Sequence, residues 1–292
     1  MEKLQAAIER ARQRRDGATP LAQPAAAPRV GGHGQIRRGP SRAKTEAIAA
    51  AWQALPVIEP DPKQAKNRRL VSTTATQEAA QFDILRTKTL LEMRRNGWTR
   101  LAITSPTPSC GKTTTAANLA AGIGRQREMR AVLFDFDLRR PAVGQMFGYK
   151  PETDITEMLS GEIGFDQHAV RIGGNVAVAA ARRPASDPTR VLLDDNTTRT
   201  IDHVAGTYAP DLMIFDLPPI LVRDDTRAFL RNVDCALIVA RAEVSTASQI
   251  DIAEREVAEY TNVLGVVLNQ CRFEDDGYGY GDAYEYGQPA KS

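Results

Sequence analysis

The residues with the most evident chemistry form one run, Ser105-Pro106-Thr107-Pro108-Ser109-Cys110-Gly111-Lys112-Thr113-Thr114. It follows a short apolar run, Leu101 to Thr104, and opens a helical pattern, Lys112 to Arg125. That is the setting a phosphate-binding loop requires: backbone N–H groups and a helix N-terminus turned toward phosphate oxygens. Lys112 is placed to reach the β- and γ-phosphates, and the Thr113 hydroxyl to ligate Mg²⁺. The usual first glycine of such a loop is replaced by Pro106. Two further segments carry carboxylates at strand ends. Asp135 and Asp137 close Ala131 to Asp137, and Asp216 closes Leu212 to Asp216, before Pro218 and Pro219. Side chains two apart on a strand share a face, so Asp135 and Asp137 are expected in one site. Asp135 is the candidate general base. Asp137 and Asp216 are the candidates to hold a metal and its waters.

These residues need elements that bring strand ends together. Six short runs rich in β-branched residues recur: Leu101 to Thr104, Ala131 to Phe136, Val176 to Ala180, Leu212 to Phe215, Cys235 to Ala240 and Val263 to Leu268. They are nearly continuous rather than alternating, as strands covered on both faces are. Helical patterns lie between them, including Thr246 to Thr261, whose Ile250, Ala253, Val257 and Tyr260 share a face. Alternating strands and helices predict a three-layer α/β/α fold with a mostly parallel sheet. Ligands of such sheets bind beyond the carboxyl ends of the strands.

Composition bounds the rest. The 292 residues are 42% hydrophobic and 25% charged, as in ordinary globular proteins. The longest apolar runs are about six residues against the roughly 20 a membrane span needs, and the first residues lack a signal-peptide pattern. Three scattered cysteines make neither a disulfide framework nor a metal cluster, so a reducing cytoplasm is expected. The net charge of +2 hides an asymmetry: residues 1–69 carry 14 Lys+Arg and 6 Asp+Glu, leaving the remainder acidic. Three regions are therefore expected. Residues 1–69 form a basic, largely disordered arm with short helices, one of them carrying Ile48, Ala51, Trp52 and Leu55 at helical spacing. Residues 70–271 form the nucleotide-binding domain. Residues 272–292 form a flexible tail in which Tyr278, Tyr280, Tyr284 and Tyr286 alternate with Gly and acidic residues.

From about residue 67 onward the chain resembles the bacterial tyrosine kinases (BY-kinases) of capsule and exopolysaccharide synthesis, in the form whose cytoplasmic domain is a separate polypeptide. The loop from Thr104 to Thr113 looks like that family's Walker A, Phe134 to Pro141 like its Walker A′, and Phe215 to Pro219 like its Walker B. Where related partitioning ATPases carry a second loop lysine, this chain has Thr107. The resemblance implies a P-loop NTPase with deviant Walker motifs that uses ATP and Mg²⁺. Its nucleotide would contact Ser109, Cys110, Gly111, Lys112, Thr113, Thr114, Arg139 and, at the adenine, Asn269. The metal would sit at Thr113, Asp137 and Asp216, with Lys112, Asp135, Asp137 and Asp216 carrying catalysis.

The same resemblance implies autophosphorylation in trans of Tyr278, Tyr280, Tyr284 and Tyr286, and control of polysaccharide polymerisation and export. It implies three partners: a membrane-embedded polysaccharide co-polymerase that activates the kinase, further copies of the chain in a homo-oligomer such as a ring, and a cognate tyrosine phosphatase. No nucleic acid is expected, and the location is cytoplasmic, peripheral to the inner face of the membrane through the partner. Two departures stand out. Ala80, Asp83 and Arg86 occupy positions where the family carries the Glu, Arg and Arg of its ring contacts, and Arg190 stands where an acidic residue is usual. The alternatives are a partitioning-type ATPase switch, or a nucleotide-binding regulatory scaffold with weak catalysis.

Overall fold

The structure is a computed structural model that describes residues 42–271. Eight strands form one sheet in the order β1-β4-β5-β3-β6-β2-β7-β8. They are β1 (Val57–Ile58), β2 (Arg100–Thr104), β3 (Ala131–Asp135), β4 (Val170–Ile172), β5 (Val176–Ala179), β6 (Leu212–Asp216), β7 (Cys235–Arg241) and β8 (Asn262–Asn269). The β4–β5 pair is antiparallel and the other neighbours are parallel. All six runs read from sequence are strands. The two short strands β1 and β4 were not foreseen, because two or three residues carry no period.

The central strands alternate between two cores. Val132 and Phe134 of β3, with Met213 and Phe215 of β6, face one side, and Ala131, Leu133, Leu212 and Ile214 face the other. Phe134 stacks on Phe215 with centroids 5.1 Å apart, and Phe136 meets Phe229 edge-on at 4.7 Å. Burial on both faces explains the continuous apolar runs. The second face is covered by α3 (Ala80–Asn96) and α4 (Lys112–Gly124), which contribute Leu90, Met93, Leu119 and Ile123. The first is covered by α1 (Arg42–Ala54), α9 (Asp195–Tyr208) and α11 (Ala247–Ala258), through Trp52, Ile201, Val204, Ala253 and Val257. The short helices α2 (Pro62–Asn67), α5 (Val143–Phe147), α6 (Ile155–Ser160), α7 (Phe165–His168), α8 (Pro188–Leu193) and α10 (Asp225–Leu230) fill the connections.

The structure corrects the boundary drawn at residue 70. Residues 42–69 pack into the nucleotide-binding domain rather than into an arm. Ile48, Trp52 and Leu55 are buried in its core, and the Trp52 indole donates to the Tyr208 carbonyl at 2.7 Å. Strand β1 pairs with β4, and Leu70 and Ala65 are buried in the other core. The compact unit begins at Arg42. The apolar stripe was legible, but its partners on α9 were not. The expected features of residues 1–41 and of the tyrosine tail lie outside the described residues. No described helix is long and apolar enough to cross a membrane.

Candidate nucleotide and phosphoryl-transfer site

The site lies at the carboxyl ends of β2, β3 and β6, adjacent in the sheet. The loop after β2 is held from several sides. The Thr104 hydroxyl donates to the Pro218 carbonyl at 2.7 Å, and the Ser105 hydroxyl to the Thr107 carbonyl at 2.7 Å. Ser109 and Gly111 both sit at positive φ, 63° and 90°. At Gly111 that conformation favours glycine by itself, and a Cβ would also lie 2.2 Å from the Asn269 amide nitrogen, which would have to move. Cys110 is buried in the turn, its sulfur 3.2 Å from the Thr107 carbonyl. It fills space, as its position in a tight loop suggests. Gly111 caps α4, so the first N–H groups of that helix face the end of the sheet where a phosphate would lie.

Lys112, the first residue of α4, is buried with its Nζ 3.8 Å from Asp137 Oδ2. That is an ion contact too long for a hydrogen bond. Thr113 donates to Asp216 Oδ2 at 2.5 Å. Asp135 and Asp216 are register partners across β3 and β6, and both are fully buried. Asp135 Oδ2 accepts from the Val143 N–H at 3.1 Å, and Asp137, just beyond the strand, accepts from the Arg140 N–H at 3.2 Å. Burial, then the Asp216 charge, pushes the Asp135 carboxyl well above the usual range. Burial raises Asp216 to about 7 against the pull of Lys112 and Thr113. Burial also raises Asp137, opposed by Lys112. The three acids thus share one low-dielectric pocket with one lysine, and each raises or feels another's affinity for a proton.

Mg²⁺ fits this donor set. The oxygens of Thr113, Asp137 and Asp216 are hard ligands, and Asp135 Oδ1 and Asp216 Oδ1 are buried without a hydrogen-bond partner. Among the described residues no group of three or more His, Cys, Asp and Glu forms a closed metal cage. Mg²⁺ needs none, since it takes one or two protein oxygens and completes its shell with water and phosphate.

Two residues stand differently from the sequence expectation. The Asn269 carboxamide, expected at adenine, donates to the Cys110 carbonyl at 2.9 Å and so braces the loop. Beside it a cavity of about 300 Å³ is lined by Arg69, Arg241, Glu243 and Gln270 among others. Arg139, expected on the nucleotide, makes a two-pronged pair with Asp225, Nε at 2.5 Å and Nη2 at 3.0 Å. Sequence reasoning missed Asp225. It is fully buried and also accepts from the Thr189 hydroxyl. Against the cost of burial, Arg139 and Thr189 hold its carboxyl below the usual range. Its only sequence signal was an acid opening a helix after the Asp216 strand, a common capping pattern.

The departure on α3 has a structural consequence. Arg86 Nη1 turns inward to Asp83 at 2.8 Å and to the Gly122 carbonyl at 3.0 Å, and Arg125 also pairs with Asp83. Glu78 pairs with Lys66 at 3.0 Å.

A strand–loop–helix phosphate site with three strand-end acids, on a mostly parallel sheet, defines a P-loop nucleotide-binding protein. Residues 101–281 match the CobQ/CobB/MinD/ParA nucleotide binding domain, and the chain belongs to that family. Within it, the likeness runs to bacterial tyrosine kinases. A putative tyrosine-protein kinase EpsB of Ralstonia nicotianae is 30% identical over 217 residues, 71% of this chain and 28% of that protein. The tyrosine-protein kinase etk of Escherichia coli K12 is 29% identical over 171 residues, 58% of this chain and 23% of its own length. The solved kinase domain of Escherichia coli ETK superposes with a TM-score of 0.61 at 27% identity, covering 73% of this chain and 82% of that one. The chain therefore spans less than a third of the length of these curated relatives.

Proposed function

We propose that the chain is an ATP-dependent protein-tyrosine kinase that phosphorylates tyrosines of its own C-terminal cluster, Tyr278, Tyr280, Tyr284 and Tyr286, in a neighbouring copy. The convergence of Lys112 with Asp135, Asp137 and Asp216 at one sheet end carries the reading, supported by the likeness to kinase domains. Bound Mg²⁺-ATP supplies the transferable phosphoryl group and charge neutralisation. The loop from Ser109 to Thr114 cradles the phosphates, Lys112 balances their charge, and Thr113, Asp137 and Asp216 offer oxygen to the metal. Asp135, whose proton affinity burial raises, accepts or orients the tyrosine hydroxyl proton. The cavity beside Asn269 accommodates the base.

The resemblance to the bacterial tyrosine kinases of capsule and exopolysaccharide synthesis, with one relative named as a putative tyrosine-protein kinase in a cps region, supports a role in regulating polysaccharide polymerisation and export. It also supports a membrane-embedded co-polymerase as activator, which would hold the chain at the inner face of the membrane, and a phosphatase that resets the tail. Incubating the full chain with γ-labelled ATP and Mg²⁺, with the activator's cytoplasmic segment added, and mapping the label tests this. Label falls on Tyr278 to Tyr286, and Lys112→Met lowers it by about a hundredfold or more while leaving the melting transition in place. Phosphotyrosine at wild-type level in that variant overturns the assignment. Free phosphate without phosphotyrosine would favour a partitioning-type ATPase switch.

A further inference from the structure

We infer that Asp225 is a positioning residue of the phosphoryl-transfer site: by holding Arg139 it keeps that guanidinium off Asp137, whose carboxylate is thereby left to Lys112 and to the metal. The inference rests on the nucleotide and metal part of the proposed function, and not on tyrosine as the acceptor.

The start of α10 is tied to every segment that carries the site. Asp225, fully buried, accepts from Arg139 through both oxygens and from the Thr189 hydroxyl, so the loop after β3 and the start of α8 meet at one carboxylate. The next residue, Thr226, is also buried and donates its hydroxyl to the Pro218 carbonyl at 2.6 Å. Pro218 follows Asp216 after β6, and its carbonyl accepts from Thr104 at the end of β2 as well. Adjacent side chains on α10 therefore connect the segments bearing Asp137, Asp216 and the phosphate loop. A buried carboxylate is costly without a partner, and the partner here belongs to the loop that carries Asp137.

The backbone of that loop is fixed independently. Leu138 is buried in the first core, its carbonyl accepts from the Ala185 N–H at 2.8 Å, and the Arg140 N–H returns to the Asp137 carbonyl at 3.0 Å. The Arg139 side chain, 41% exposed, is the part with room to move. Asp225 dominates it through hydrogen bonds, and Asp187 and Asp137 act on it through charge alone. The contact between Asp137 and Lys112, at 3.8 Å, is too long for a hydrogen bond. A guanidinium set free two residues from Asp137 would compete with that contact, since a forked bond to a carboxylate is stronger than a distant ion contact. Its charge would also oppose Mg²⁺. Asp225 removes both effects by engaging the guanidinium at Nε and Nη2.

A binding titration tests this without relying on transfer. The full chain is titrated with Mg²⁺ in the presence of a fluorescent, non-hydrolysable ATP analogue, and the Mg²⁺ concentration giving half of the metal-dependent gain in affinity is read. Asp225→Asn raises that concentration about tenfold, while metal-free affinity for the analogue stays within about twofold of wild type. Adding Arg139→Gln to Asp225→Asn returns the midpoint toward wild type, because no guanidinium is left to compete. A merely structural role gives the reverse, a double variant at least as impaired as the single one with a parallel loss of metal-free binding, and that result overturns the inference. Arg139→Lys supplies a second reading that leaves the buried carboxylate in place. It keeps the charge but loses the fork, and the midpoint rises about threefold; an unchanged midpoint in this variant also overturns the inference. A wild-type chain whose affinity for the analogue ignores Mg²⁺ overturns the metal site and the inference together. Absence of labelled tyrosine in the transfer assay overturns the kinase reading alone.

Discussion

Burial sets what each titratable side chain can do. Asp135 and Asp216 keep one oxygen each without a partner in a dry pocket, the condition under which carboxylates hold protons to higher pH and become useful acids and bases. Asp225, equally buried, is held in the opposite direction because Arg139 and Thr189 bond to both its oxygens. The same physics acts outside the site at His168. That ring is buried, with Nδ1 2.8 Å from the Thr153 hydroxyl, and burial lowers its pKa to about 4. Between pH 4 and the ordinary histidine value near 6.5, the unfolded chain binds a proton that the folded chain refuses. The stability gained from the neutral ring is therefore present above about 6.5 and lost as pH falls toward 4, on the order of 3 kcal/mol in all. Urea unfolding of wild type and His168→Gln at pH 7 and pH 4.5 tests this. The wild-type advantage shrinks by on the order of 2 kcal/mol at the lower pH, and a pH-independent difference would show that the ring titrates normally.

At the scale of elements, α1 anchors the N-terminal edge of the domain. Its Trp52 is 3% exposed, edge-on to Tyr208 with centroids 6.1 Å apart, and hydrogen-bonded to the Tyr208 carbonyl. Removing such a side chain leaves a cavity and an unpaired carbonyl, and Trp52→Ala is expected to cost about 3–5 kcal/mol. Deletion of residues 1–41 leaves the melting temperature near wild type, whereas deletion of residues 1–69 lowers it sharply, since the latter removes α1, β1 and α2. Calorimetry of the two truncations distinguishes a domain beginning at Arg42 from one beginning at residue 70. The phosphate loop belongs to the same scale. Its glycine is dictated first by the turn, whose φ of 90° strains any other residue, and then by the Asn269 carboxamide of β8, which lies where a side chain on Gly111 would go.

Over the whole molecule, charge is segregated. Residues 1–41 carry eight Lys+Arg and three Asp+Glu, joined to an acidic remainder. A basic segment gains about 1 kcal/mol per Lys or Arg near an anionic membrane surface. Co-sedimentation with vesicles containing phosphatidylserine is therefore expected for the full chain at low salt. It should fall severalfold when residues 1–41 are deleted, and should be weak for both chains with neutral lipid. Equal sedimentation of the two chains on anionic vesicles would assign any membrane attraction to the folded domain. The inward pairing of Arg86 with Asp83 and Gly122 bears on assembly at this scale, since those donors are engaged within one copy of the chain.

Periodicity and spacing along the chain were enough for the layered parallel fold, the phosphate loop and the three strand-end acids. Each is local: a strand covered on both faces is continuously apolar, and a loop between strand and helix has a recognisable residue order. Other features depended on residues far apart in sequence. Asp225 became part of the site only through Arg139, 86 positions away, and Asn269 braced the loop only because β8 closes the sheet beside β7. The true start of the domain was set by Trp52 meeting Tyr208, 156 residues on. An amphipathic stripe states that a helix has an apolar face, but whether a partner covers that face is decided by the folded chain.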